Sequence, residues 1–263
     1  MDYLEFLIGT GKGNSSKALP QLKNHLSKLG YLNTNTIKPS SSSIHDDDDY
    51  LFDETLEEAV TKYQSFFKLP TTAILDAATL AHMRLPRCGV PDHFHHNTSA
   101  HYTFFPGNPK WPVGRLNLTY SFPPGTLVEA FKAIDEATNI WAGVSPLKFR
   151  YTKNYEAADI KISFQKKGHG DGSDFDGSGG ILAHAFAPTD GRLHFDGDER
   201  WVNGVVRGAM DLQTVGLHEL GHVIGLGHSA DAGSIMWPTI GYESRKGLNK
   251  DDIQGIKALY SSS

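Results

Sequence analysis

Leucine recurs at Leu19, Leu22, Leu26 and Leu29, three- and four-residue steps that lay one apolar stripe along a helix, and Gly30 follows where such a helix stops. A second stripe of Val60, Tyr63, Phe66 and Phe67 comes after Asp53 and closes at Leu69-Pro70. The Asp53 carboxylate can accept the free N–H groups of a first helical turn, and the residue before a proline leaves the helical conformation. Asp76 has the same capping character for a third helix reaching Leu85. The three stripes predict a small helical module over residues 17–85. Between the first two, residues 39–49 are serine- and aspartate-rich, too polar and like-charged to pack, and predict a flexible loop.

From about residue 105 the texture becomes α/β (α+β). Thr126 is a candidate cap for a helix carrying Leu127, Phe131, Ile134, Ala137 and Trp141 on one face. Short β-prone runs follow at residues 148–151, 159–164, 182–186 and 192–195, then helices over 212–226 and 249–260. Residues 93–101 are polar and histidine-rich without a period, as in a protease-sensitive linker. No internal repeat is visible.

A chain of 263 residues is one large or two modest domains, long enough to bury a substantial core. Its net charge of −5 lacks the basic footprint of a nucleic-acid binder, so no nucleic-acid partner is expected. No run approaches the roughly 18 apolar residues of a membrane span. The opening residues 1–8 carry acidic groups where an export signal is basic, so no signal peptide is visible.

The most informative segment is His218-Glu219-Leu220-Gly221-His222-Val223-Ile224-Gly225-Leu226-Gly227-His228, which fits HExxHxxGxxH. Positions four apart share a helix face, so His218 and His222 can aim two imidazoles at one ion. Glu219, about 100° around the helix, can reach a water on that ion and is the candidate general base. Gly225 can adopt the left-handed conformation that ends helices, letting His228 return as third ligand. Three protein ligands leave a fourth position open, the mark of a catalytic zinc.

Ser234-Ile235-Met236-Trp237-Pro238 follows the third histidine, as the methionine turn of metzincins requires, with Met236 beneath the metal. With Ser229 directly after His228, the chain resembles the matrixins, the matrix metalloproteinase family, over nearly its whole length. The resemblance implies a metzincin catalytic domain over residues 102–263, with a twisted mixed sheet and three helices. It also implies a three-helix, peptidoglycan-binding-like prodomain within residues 1–101.

A second constellation lies in residues 168–201, where His169, Asp171, His184 and His194 offer three imidazoles and a carboxylate for a closed, structural zinc site. The surrounding residues resemble the matrixin structural-zinc segment. Two zinc ions are therefore expected, one catalytic and one structural. Asp176, Asp196 and Glu199 supply hard oxygens beside the glycine-rich residues 177–180, which suits at least one calcium ion. By resemblance, the carbonyls of Gly177, Gly179 and Ile181 complete that site. The short residues 188–192 make further calcium sites involving Asp159 or Gly191 doubtful.

Cys88 is the single cysteine, so no intramolecular disulfide can form. Thiolate is a strong zinc ligand that can take the fourth catalytic position in place of water. Pro86-Arg87-Cys88-Gly89-Val90-Pro91-Asp92 is similar to the matrixin cysteine switch, which implies a latent proenzyme with Cys88 on the catalytic zinc and Arg87 paired with Asp92.

The implied activity is hydrolysis of internal peptide bonds in extracellular or cell-wall-associated proteins. Substrate would lie along residues 182–186, with Ala183 in contact, and Pro238, Thr239 and Ile240 would form the wall of the main specificity pocket. Only residues 261–263 follow the last expected helix, so no hemopexin-like domain is expected, as in short plant-type matrixins. The resemblance further implies secretion, a monomer, and protein metalloprotease inhibitors as a partner class. Secretion conflicts with the missing signal, which a chain beginning after its signal reconciles. The triplets at Asn14, Asn97 and Asn117 are compatible with export. Two competing readings are another metzincin, opposed by Ser229 and the Cys88 heptad, and a degenerate glycan-binding module, opposed by the intact Glu219.

Overall fold

The computed structural model describes residues 2–32, 48–92 and 101–261, which form two compact units, Met1–Leu85 and Pro86–Ser263. Most of the acidic loop expected at 39–49, nearly all of the linker expected at 93–101 and the triplet at Asn97 lie outside the described residues.

In the first unit the described helices are α1 (Leu19–Lys28), α2 (Glu54–Phe66) and α3 (Ala77–Met83), with 3-10 turns at Asp2–Leu7 and Asp48–Tyr50. Asp53 and Asp76 accept the Leu56 and Thr79 N–H groups, each at 2.8 Å, so both predicted caps satisfy free donors of a first turn. Leu19, Leu22, Leu26, Val60 and Tyr63 are buried as their spacing requires. Gln64, a polar residue on α2, is also fully buried. Its amide nitrogen donates to Thr72 Oγ1, Ile74 O and Thr79 Oγ1, and its oxygen accepts from Ala73 N, which offsets the cost of leaving water.

In the second unit a six-stranded sheet runs in the order β1-β5-β6-β4-β2-β3. Its strands are β1 (Arg87–Cys88), β2 (Asn117–Ser121), β3 (Lys148–Tyr151), β4 (Ile160–Gln165), β5 (Ile181–Ala185) and β6 (Arg192–Asp196). Only the β5–β6 pair is antiparallel, so the sheet is mixed and mostly parallel. A two-stranded pair, β7 (Trp201–Val202) and β8 (Met210–Asp211), leads into the helix carrying the motif.

The described helices of this unit are α4 (Val128–Ala142), α5 (Leu212–Val223) and α6 (Lys250–Tyr260). Thr126 does not cap α4: its hydroxyl donates to Pro123 O, and Leu127 takes the cap position without a side-chain bond. Ile134, Ala137 and Trp141 of α4 pack with Val215 and Leu220 of α5 in one core. A methyl group on Gly216 would stand 2.6 Å from Ile134 Cδ1, so glycine is what lets the two helices approach. Trp141 Nε1 donates to Leu217 O at 2.8 Å, a buried polar tie between the same helices. The motif helix stops at Val223, before the 226 expected, because Gly225 turns the chain at φ +108.

Candidate metal centre

His218 and His222 project from α5 and His228 from the turn that follows; all three are fully buried. His218 Nδ1 donates to Ile235 O at 2.7 Å and His222 Nδ1 to Leu226 O at 2.8 Å. A carbonyl can only accept, so each Nδ1 carries the proton and each Nε2 presents a lone pair. Those lone pairs face one another: His222 Nε2 lies 3.1 Å from His218 Nε2 and 3.2 Å from His228 Nε2. Burial pushes His218 well below the usual imidazole range, and His228 down as well, so protons do not resolve the repulsion. A cation does.

Cys88 Sγ completes the quartet at 3.5 Å from His222 Nε2. A zinc tetrahedron with the usual Zn–N and Zn–S bonds has N–N edges of about 3.3 Å and N–S edges of about 3.6 Å, so the donor set has the size and type that zinc takes. Burial, then the charge of Glu219, pushes the Cys88 thiol far up, and a bound metal is what makes the thiolate favourable there. Glu219 is fully buried beside the Cys88 thiol, and neither carboxylate oxygen has a hydrogen-bond partner. Burial pushes its pKa up to about 8, only partly offset by that thiol.

The segment carrying Cys88 is built into the sheet. β1 pairs parallel with β5, Arg87 N donates to Gly180 O, and Gly89 N donates to Ala183 O at 2.8 Å. On its other side Cys88 N donates to Pro238 O and Ile240 N donates to Pro86 O, each at 2.9 Å, while Arg87 bridges Thr239. Residues 86–89 thus fill a slot whose walls are Ala183 and residues 238–240. Arg87 Nη2 reaches both oxygens of Asp92, at 2.9 and 3.0 Å, within the buried interior.

Met236 lies under the site: a methyl on Gly221, between the two helix histidines, would stand 2.3 Å from its Sδ. The turn holding Met236 is fixed from α6, where Asp252 accepts Ile235 N at 2.9 Å and Met236 N at 3.2 Å. Ser229 Oγ donates to Asp251 Oδ2 at 2.7 Å, fixing the residue next to His228.

The second quartet also converges. Asp171 Oδ2 lies 2.9 Å from His169 Nε2, 2.8 Å from His184 Nε2 and 2.9 Å from His194 Nδ1. His169 Nδ1 donates to Lys167 O, so in the neutral ring its Nε2 lone pair faces a carboxylate. Burial lowers His184 to about 4 and lowers His194 too, leaving three nitrogens and one oxygen suited to a small divalent cation.

The expected calcium set is more open. Among the described residues only the two quartets bring four such donor atoms within 4.8 Å of one another, and Asp176, Asp196 and Glu199 are not so grouped. All three carboxylates are raised by burial first, Asp176 then by the charge of Asp196, Glu199 by those of Asp196 and Asp176, and Asp196 by that of Asp198, and Asp196 Oδ2 is buried without a partner. Gly177 and Gly179 have φ of +87 and +81, and a methyl on Gly180 would strike the Asp176 carboxylate, so the loop requires glycine. Asp176 Oδ1 accepts from Ile181 N at 2.9 Å. Asp159, the doubtful further ligand, gives its carboxylate to Arg115 and to Thr119 N and Oγ1 instead.

Sequence reasoning missed the bond from His228 Nδ1 to Asp92 Oδ1, at 2.6 Å, and the role of Asp252. Neither has a local signature, because 136 and 17 residues separate the partners.

A family model described as Matrixin matches residues 110–261, and one described as a putative peptidoglycan binding domain matches residues 15–83. The chain is 44% identical to Metalloendoproteinase 1 of Glycine max over 94% of this chain and 83% of that protein. It is 38% identical to Metalloendoproteinase 2-MMP of Arabidopsis thaliana over 99% of this chain and 75% of that protein. It is also 43% identical to Matrix metalloproteinase-20 of Homo sapiens, over 76% of this chain and 41% of that protein.

Proposed function

Because the chain belongs to the matrixin family of metalloendopeptidases, we propose that it is made latent, with residues 1–101 as a propeptide that seats Cys88 on the catalytic metal. Residues 102–263 form the protease. The observation that carries this reading is the buried quartet of Cys88, His218, His222 and His228 beside the unpaired Glu219 carboxylate.

His218, His222 and His228 are the residues to hold the catalytic zinc, which when bound supplies Lewis acidity toward the scissile carbonyl and acidifies the attacking water. Glu219 takes the proton from that water and passes it to the leaving amine. Its raised pKa in the closed slot reflects exclusion from solvent; opening the slot lets it ionise as a base. His169, Asp171, His184 and His194 hold a second, structural zinc. Asp176, Asp196 and Glu199, with the carbonyls of Gly177, Gly179 and Ile181, hold calcium.

Once residues 86–89 leave, β5 presents the edge they occupied. A polypeptide laid antiparallel to β5 gains the backbone partners at Gly180 and Ala183, with one side chain directed toward Pro238, Thr239 and Ile240. Extracellular or cell-wall-associated proteins are the proposed substrates, with secretion as the setting. Support for that comes from the family, whose human member above is named for the matrix.

The test is zinc content and cleavage of a quenched peptide, measured before and after removal of roughly the first hundred residues. The reading expects two zinc ions per chain and activity gained only on processing. Glu219→Ala should keep the metal and lose about 10²–10⁴-fold in turnover. A processed chain that binds zinc yet cleaves no peptide would refute the hydrolase.

A further inference from the structure

Residues 241–248, between the slot wall and α6, carry a short turn at 242–243 but no backbone–backbone hydrogen bond to another segment among the described residues. Residues 241–243 are exposed, and Glu243 sits at φ +57. Leu248 packs against the core, and the rest of the stretch is fastened through Arg245 and Lys246. Arg245 Nε reaches Asp211 Oδ2 at 3.0 Å and its Nη2 reaches Asp211 Oδ1 at 2.8 Å, with Asn203 Oδ1 as a further acceptor. Next to it, Lys246 N donates to Thr214 Oγ1 at 3.0 Å, and Lys246 Nζ to Ala232 O at 2.8 Å.

Asp211 is the N-cap of α5, the helix that carries His218, Glu219 and His222. Its buried carboxylate also accepts from Thr214 N and Oγ1 and from Gly204 N. Burial alone would raise its pKa, but the bonds from Arg245, Thr214 and Gly204 hold it below the ordinary value. The fork of Arg245 therefore closes on a fixed, ionised partner rigidly tied to the catalytic helix.

Within the wall itself, Ile240 packs into the core and Thr239 Oγ1 accepts from Trp237 Nε1 at 2.7 Å, but its main-chain contacts are of another kind. Pro238 O accepts from Cys88 N and Ile240 N donates to Pro86 O, so both of these backbone bonds go to the pro-segment. They are lost when that segment leaves. Four residues then connect Ile240 to Arg245, a short tether whose far end decides how far the wall can swing.

We propose that Arg245 is a positioning residue that sets which substrate side chain the slot accepts, by fastening residues 238–246 to the N-terminal turn of α5. The inference rests on the proposed peptidase reading and names a determinant of its selectivity. It predicts that freeing Arg245 widens the slot while leaving the metal quartet intact, since none of its bonds involves a zinc-ligating residue.

The experiment profiles the full-length chain after proteolytic activation on a peptide panel varied one residue at a time on either side of the scissile bond. For Arg245→Met, the preference for the best side chain over longer ones at one position should fall about tenfold, the range that pocket fit controls. KM for the best peptide should rise while kcat changes less than about threefold, and zinc content should stay at the wild-type value. Arg245→Lys, which keeps the charge but not the fork, should give a smaller shift in the same direction. A wild-type profile in Arg245→Met, or in Arg245→Lys if the first variant does not fold, overturns the inference and leaves the peptidase reading intact. Absence of any cleavage by the activated wild type overturns both.

Discussion

Asp92 Oδ1 accepts the Nδ1–H of His228 at 2.6 Å while both its oxygens hold Arg87, and Asp92 and His228 are wholly buried. His218 and His222 take main-chain carbonyls in the same role, so of the three only His228 takes its orienting partner from residues 86–92, the proposed pro-segment. Such partners fix the tautomer and ring plane of a metal ligand. Replacing Asp92 by alanine also leaves the Arg87 guanidinium buried without its partner, a loss of about 3–5 kcal/mol set against keeping residues 86–92 in the slot. The unprocessed Asp92→Ala chain should therefore cleave peptide without proteolysis, as should Cys88→Ser, which lacks the blocking sulfur. Complete latency in either unprocessed variant would rule out its part in the block.

Much of this was legible locally. Asp53 and Asp76 cap helices because capping needs only a carboxylate three residues before a free N–H, and the motif spacing converts directly into His218 and His222 on one face. Thr126 failed because its hydroxyl found Pro123 O, a competing local bond that propensity does not rank. β2 was overlooked although Leu118 and Tyr120 alternate with polar neighbours, since its short run carries few strong strand formers. β1 has two residues and exists only because β5 offers an edge. Contacts such as Asp92 with His228 and Arg245 with Asp211 join segments that only the folded chain brings together.

Gly221 faces Met236 between the two helix histidines. An added methyl would lie 2.3 Å from Met236 Sδ, 3.0 Å from its Cε and 3.2 Å from Trp141 Cζ2. Alanine gains roughly 1 kcal/mol of helix propensity over glycine, but overpacking of about 1–3 kcal/mol opposes it in a core with no slack. Gly221→Ala should lower the melting temperature and weaken zinc retention against a chelator. Adding Met236→Ala should recover part of both losses. A Gly221→Ala melting temperature at or above wild type would contradict this packing.

Calcium should stabilise the chain at the loop joining β4 to β5. Burial raises Asp176, Asp196 and Glu199, and the charge of Asp196 raises the other two further, a repulsion that a bound divalent cation removes. Millimolar calcium, with zinc saturating, should raise the melting temperature, and Asp196→Asn should blunt the increase. An equal response to magnesium, or none to calcium, would dismiss the site.

Acid should undo the second quartet, the proposed structural zinc site, before it touches the ordinary carboxylates. His184 is held down to about 4 by burial, opposed by Asp171, and His194 is lowered for the same reason. In the unfolded chain both titrate near 6.5, so below that pH the unfolded state binds protons that the folded state refuses. Their contribution is complete above pH 6.5 and is lost as pH falls toward 4. Zinc sharpens the effect, because the ligand nitrogens must be unprotonated to hold it. The histidine contribution falls through the window from 6.5 to 4, opposed by Glu219, whose raised pKa adds stability as pH drops from about 8, so metal retention rather than melting temperature is the readout. A colorimetric chelator should detect zinc release over the same range. Zinc fully retained from pH 6.5 down to 4 would mean that these histidines do not hold it in the folded protein.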